Sequence, residues 1–320
     1  MLQKQKYLVI KACAGLGNRL VTVFAAIKYC EANNRILVID WSDGQFDKKG
    51  IDAFKKCFEL KNVQYTEIEN IGHWLSFKHS SELFKIQKSE GVYDLYFNKQ
   101  SSFFEKLPIK LFVFAWLKKL RRRWQPIKNG GYFNSLNSGS DLPNNVDDEI
   151  LYYVDFLPYI NYDELPNYLD LKPVINEKIN RFVDENNLKK SIGIHIRNTD
   201  KRPTTSVRKV IEHILVKHKN IPVYLSTDST EIEVMFLKAV PNLILFPKIK
   251  PKLNGEGLHQ WALHNDPTEE LKYTLYEESV MEMFLLSKCQ YLYYQGNSTF
   301  SNISKVYHVN KTNCYDWLKL

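Results

Sequence analysis

Hydrophobic positions along this chain alternate between runs of strand length and stretches of helical spacing. Tyr7 to Ala12 (YLVIKA) reads as a strand. Arg19 to Ala32 then places Leu20, Val23, Phe24, Ile27 and Cys30 at helical intervals, and Arg35 to Trp41 (RILVIDW) reads as a second strand. From Val174 onward the same rhythm returns. Helices are expected over 176–187, 206–219, 231–239, 269–287 and 298–307, and strands over 191–197, 222–227, 243–246 and 290–295. Strands separated by helices imply parallel sheets covered on both faces. Lys248 to Pro267 is expected as one long connection, and long connections inside compact domains are commonly functional.

Between the two rhythmic regions the pattern is weak. Leu107 to Trp124 (LPIKLFVFAWLKKLRRRW) has an apolar start and a basic end. A core helix with a solvated end accounts for it; peripheral contact with an anionic membrane surface through Leu117 to Trp124 is the alternative. Asn129 to Asp148 is rich in Gly, Ser, Asn and Asp and reads as loop. Prolines 158, 166 and 173 punctuate the passage into the second half, so the expected division is 1–165 and 166–320.

The length of 320 residues suits two α/β domains. A formal net charge of +8 fits nucleic acid, an anionic membrane or an anionic small substrate equally well. No recognisable nucleic-acid motif or clean basic stripe accompanies it. Five scattered cysteines, without CxxC spacing, suit reduced thiols better than a disulfide framework or a zinc site. No window reaches the roughly 20 apolar residues needed to span a bilayer. Nor is the N-terminal apolar run long enough for a signal peptide. A cytoplasmic protein is therefore expected, with association at the inner membrane face as the alternative.

The chemistry concentrates at expected strand ends. Ser191 to Lys201 (SIGIHIRNTDK) is a β-branched strand that runs into His195, Arg197, Asp200 and Lys201. In a parallel sheet the C-terminal strand edge is where ligands bind. Arg and Lys there suit a phosphate or diphosphate. Thr227 and Asp228 end another strand, and Ser298 and Thr299 open a helix whose free N–H groups favour an anion. Near the N-terminus, Gly15, Gly17, Asn18 and Arg19 form a loop, GLGNRL, that lacks both the GxGxxG and the P-loop spacing. It is read as a phosphate or acceptor loop, with a tight turn and a surface arginine as the plain alternative. Asp40, Asp43 and Asp47 fit no strict metal spacing, so no metal is expected, and caps or turns explain them more simply.

These residues carry a resemblance. HIRNTDK is similar to the HxRxTDK motif of the α1,6-fucosyltransferases, the NodZ-like and core-fucosylating enzymes that use GDP-fucose. VYLSTDS, the GLH at Gly257 to His259, and MFLLSKCQYLYYQGNSTF resemble later segments of that family in the same order, while GLGNRL and IDW resemble its first loop and second strand. The matches cover two stretches within the first 41 residues and most of 191–307; the middle is unmatched. The resemblance implies an α/β, GT-B architecture, two Rossmann-like domains facing a central cleft. It also implies an inverting, metal-independent glycosyltransferase without a cofactor. Arg197 is then expected to stabilise the GDP leaving group, with Asp200 and Lys201 orienting it. His195 would line the nucleotide site with Thr227, Asp228, His259, Ser298 and Thr299, and Glu282 would read the guanine edge.

One position departs from the pattern. Core-fucosylating members carry a glutamate a few residues past TDK, implied as the base that activates the acceptor hydroxyl; here the matching residue is Thr205. A threonine is no base near neutral pH. Asp43 and Glu256 are the candidates for that work. The expected partners are a GDP-sugar donor, GDP-fucose first and GDP-mannose as alternative, and a glycan acceptor. Nucleic acid is not expected, although a basic nucleic-acid-binding protein is the competing class.

Overall fold

The structure is a computed structural model. It describes residues 5–12, 14–48, 50–68, 70, 150–155, 158, 160–200, 203–253, 255–265 and 267–320. The basic stretch Leu117 to Trp124 and Lys201 lie outside the described residues. Among the described residues no helix is long and apolar enough to cross a membrane.

The chain divides into two compact units. In the first, β1 (Tyr7–Ala12) leads into α1 (Leu16–Asn33) and then β2 (Ile36–Ile39). Both β2 and β4 (Ile150–Asp155) pair in parallel with β1, with Tyr7 opposite Ile36 on one side and Ile150 on the other. Leu20, Val23, Phe24, Ile27 and Cys30 of α1 are all buried, as their spacing predicts. The helix begins at Leu16, within the expected glycine turn.

The second unit comprises Ala14–Gly17, Ser42–Glu59 and Asp163–Leu320. Its early part includes a one-turn helix, α2 (Phe54–Cys57), and two short strands, β3 (Phe58–Leu60) and β5 (Leu169–Leu171). The main sheet follows α3 (Pro173–Glu185) and is built from β6 (Ile192–Ile196), β7 (Val223–Thr227), β8 (Leu243–Leu245), β9 (Tyr291–Tyr294) and β10 (Cys314–Asp316). The spatial order is β10-β9-β6-β7-β8, and every pairing is parallel. Helices α4 (Val207–Lys217), α5 (Thr230–Ala239), α7 (Glu269–Lys288) and α8 (Thr299–Tyr307) connect the strands.

The central strand β6 is buried on both faces. Ile192, Ile194 and Ile196 join one core with Val210, Ile214 and Phe236. Gly193 faces the other way, and a Cβ there would stand 2.9 Å from Cys289 Sγ. Only glycine lets α7 approach this closely.

Two elements differ from expectation. The connection over 248–267 contains a helix, α6 (Leu258–Asn265), which starts with Trp261 N–H donating to the Gly257 carbonyl. β10 lies outside the expected strands, because three residues carry too little pattern. It completes the sheet edge by pairing Cys314 with Leu292 and Asp316 with Tyr294.

Candidate functional site

The C-terminal end of β6 is fixed from several directions. The Arg197 N–H donates to Gln295 Oε1 at 2.8 Å, tying β6 to the segment before α8. Trp317, fully buried, donates its indole N–H to the His195 carbonyl at 3.0 Å. The Arg197 side chain lies against Asp200, with Nε and Nη2 each 2.6 Å from a carboxylate oxygen. This two-pronged contact fixes the guanidinium plane. Of the five N–H donors of a guanidinium it occupies two, so three face elsewhere.

Asp228, just past β7, organises the loop after β6. One oxygen accepts from the Asn198 N–H at 2.8 Å and the other from the Thr199 hydroxyl at 2.6 Å. Ser229 caps α5 by accepting from the Ile232 N–H. Thr205 donates its hydroxyl to the Leu318 carbonyl at 2.8 Å, so the residue that stands where a base was sought ties a loop to the C-terminal segment.

The start of α8 packs against His195, whose ring stacks on Phe300 with centroids 4.9 Å apart. Burial first, then the nearby Arg197 and Lys248 charges, push the imidazole down to about 3, so it is neutral at ordinary pH. Its Nδ1 is buried and makes no hydrogen bond among the described residues. The same holds for Ser298 Oγ, at the N-cap of α8 but not capping it. Ser301 instead accepts from the Gln295 N–H and fixes the turn before the helix. Two buried polar atoms thus lack a partner among the described residues where β6 meets the N-terminus of α8. Such atoms are costly unless something binds them. Gly17 reaches this region too: a Cβ on it would stand 2.6 Å from the Thr299 carbonyl carbon.

A small pocket lies beyond β7 and β8. Thr227, Phe246, Lys248 and Glu282 are among its lining residues. Lys248 Nζ donates to Glu282 Oε2 at 2.6 Å and to the Thr227 carbonyl at 2.8 Å. One helical turn before Glu282, Glu278 accepts the Ile249 N–H on both oxygens. Burial raises the Glu278 carboxyl above its usual range, with the Glu282 charge adding to the rise.

Gly15 lies on the short segment before α1. Asn18 and Arg19 belong to the first unit, where Arg19 is fully buried with its guanidinium over the Trp41 ring at 5.4 Å. Arg19 is therefore not the surface arginine of the plain alternative. Asp43 accepts from the Gln45 N–H, a turn contact. Asp47 is paired with Lys56. No cluster of three or more His, Cys, Asp or Glu suited to a metal occurs among the described residues. Glu256 stands in the turn before α6, and His259 lies on that helix. Sequence reasoning passed over Lys248, whose PKIKPK context reads as solvated charge, and Gln295, whose only signal was an amide ending an apolar strand.

No family model and no curated protein matches the sequence. Solved structures do match. A crystal structure of NodZ α-1,6-fucosyltransferase soaked with GDP-fucose aligns at TM-score 0.58 and 17% identity, covering 94% of this chain and 92% of that one. The chain has the fold of these transferases. A second structure, fucosyltransferase NodZ from Bradyrhizobium, gives TM-score 0.57 at 16% identity over the same shares. POFUT1 in complex with GDP gives 0.51 at 13% identity, covering 98% of both chains. The α/β, GT-B fold expected from HIRNTDK and its companion segments is therefore the fold observed.

Proposed function

We propose that this chain transfers fucose from GDP-fucose to a hydroxyl of a glycan acceptor, with inversion and without a metal. The observation that carries the reading is the Arg197–Asp200 pair at the end of β6, beside the α8 N-terminus. The NodZ structure was soaked with GDP-fucose, and the POFUT1 structure holds GDP, which supports the choice of nucleotide.

The chemistry follows from that arrangement. The bond between the sugar's anomeric carbon and the β-phosphate oxygen breaks, and the electron pair leaves with GDP. Negative charge grows on the β-phosphate. The Arg197 donors not held by Asp200 stabilise that charge, as does the positive end of the α8 dipole. A neutral His195 donates or accepts one hydrogen bond without repelling Arg197. Glu282 accepts from the guanine N1–H and 2-amino groups. The acceptor hydroxyl attacks the opposite face and loses its proton to a carboxylate, with Asp43 and Glu256 as candidates.

A nucleotide-sugar panel tests the reading. Calorimetry should show GDP bound in preference to UDP and ADP, and turnover should be fastest with GDP-fucose. Faster turnover of GDP-mannose would replace the sugar and keep the nucleotide. Oligonucleotide binding stronger than GDP binding would overturn the reading altogether.

A further inference from the structure

We propose that Lys248 reads the 6-oxo group of the donor's guanine and acts with Glu282 as a two-residue base selector. The inference rests on the donor reading above and extends it to a residue that the motifs do not mark. Lys248 and Glu282 line the same small pocket, which Leu225, Leu245 and Phe246 border on its apolar side. Their heads are 2.6 Å apart and both side chains are largely withdrawn from water, at 16% and 8% exposure. An ion pair so placed loses much of its hydration and is a weak source of stability by itself. It is, however, a preformed recognition element.

The donor count leaves room for a ligand. An ammonium carries three N–H groups. Two of them serve Glu282 and the Thr227 carbonyl. Glu282 uses one oxygen for Lys248, and each carboxylate oxygen accepts more than one hydrogen bond. The pair therefore presents a donor beside an acceptor. Guanine presents the complement, an acceptor at O6 beside donors at N1 and the 2-amino group. Adenine has a donor at position 6 and an acceptor at N1, so both contacts are mismatched, the arrangement that discriminates most strongly. The Lys248 loop is also held in place, because Glu278 grips the next residue's N–H from the turn of α7 preceding Glu282.

Calorimetry with GDP, 6-thio-GDP and IDP on the full chain tests this. Sulfur at position 6 weakens that acceptor and keeps N1–H and the 2-amino group; inosine keeps O6 and loses the 2-amino group. The wild type should bind GDP about fivefold to tenfold tighter than 6-thio-GDP, the worth of one weakened charge-assisted bond. Lys248→Met should erase that difference and keep a preference for GDP over IDP; Lys248→Arg should restore it. Equal binding of GDP and 6-thio-GDP by the wild type overturns the assignment without any variant. So does a Lys248→Met protein that keeps the difference. A wild type indifferent among GDP, ADP and UDP overturns the donor reading itself, which is a separate result.

Discussion

Asp200 holds Arg197 with both carboxylate oxygens, at 2.6 Å to Nε and 2.6 Å to Nη2. The two residues stand three positions apart on one loop and set the plane of the guanidinium before any ligand arrives. If Arg197 stabilises the departing diphosphate, Arg197→Ala should reduce transfer from GDP-fucose below detection. Asp200→Ala frees the guanidinium without removing it. It should lower kcat by about tenfold to a hundredfold, the scale of losing a positioned electrostatic contact. Asp200→Asn keeps one acceptor and should fall between. Steady-state kinetics checks the order. Near wild-type turnover in Arg197→Ala would remove that arginine from the mechanism.

The strands and their chemistry were legible because β6, β7 and β9 are short apolar runs ending in polar residues. Their parallel pairing brings His195, Thr227 and Gln295 toward one sheet edge. What was hidden depends on contacts distant in sequence. Ala14–Gly17 and Ser42–Glu59 belong with the second unit, although Asn18–Trp41 between them belongs to the first. No local pattern announces such an excursion. Lys248 becomes informative only once Glu282, thirty-four residues later, is seen to pair with it. β10 forms because β9 offers an unpaired edge, a property of the sheet and not of CYD.

Gly17 packs directly on the Thr299–Phe300 peptide. A Cβ would lie 2.6 Å from the Thr299 carbonyl carbon and 2.7 Å from the Phe300 nitrogen. Both are backbone atoms at the start of a helix, so they cannot swing aside. Gly17→Ala should destabilise the protein by about 1–3 kcal/mol, the usual cost of overpacking. It should also weaken GDP binding by displacing the α8 N-terminus. Urea unfolding and calorimetry measure the two effects. An unchanged midpoint with unchanged GDP affinity would show that the contact is tolerant.

Acid stability follows from His195. Its imidazole is held down to about 3 in the folded chain, against an ordinary value of 6.5. Below 6.5 the unfolded chain takes up a proton that the folded chain refuses. Stability is therefore unaffected above 6.5 and falls as pH drops from 6.5 toward 3, by up to about 1.4 kcal/mol per pH unit for this group. His218 and His308 are also lowered by burial and act with the same sign. His195→Phe preserves a ring against Phe300 and removes the proton site. It should flatten, but not abolish, the decline in unfolding free energy measured between about pH 4 and about pH 7. An identical slope in the variant would mean that the wild-type ring is protonated where it lies.

Asp228 gives the last test, because its two contacts differ in kind. It accepts one backbone N–H, from Asn198, and one hydroxyl, from Thr199, and so shapes the loop that carries Arg197 and Asp200. Asp228→Asn replaces one acceptor oxygen by an amide that already carries hydrogens. The Thr199 hydroxyl can rotate to accept from it, whereas the Asn198 N–H cannot change role. The amide should therefore settle with its oxygen toward Asn198 and lose charge-assisted strength at both contacts. The expected cost is about 1–2 kcal/mol of stability. Since the loop is loosened but Arg197 keeps Asp200, KM for GDP-fucose should rise more than kcat falls. A fall in kcat with unchanged KM would instead mean that Asp228 acts by positioning Arg197 for the chemical step.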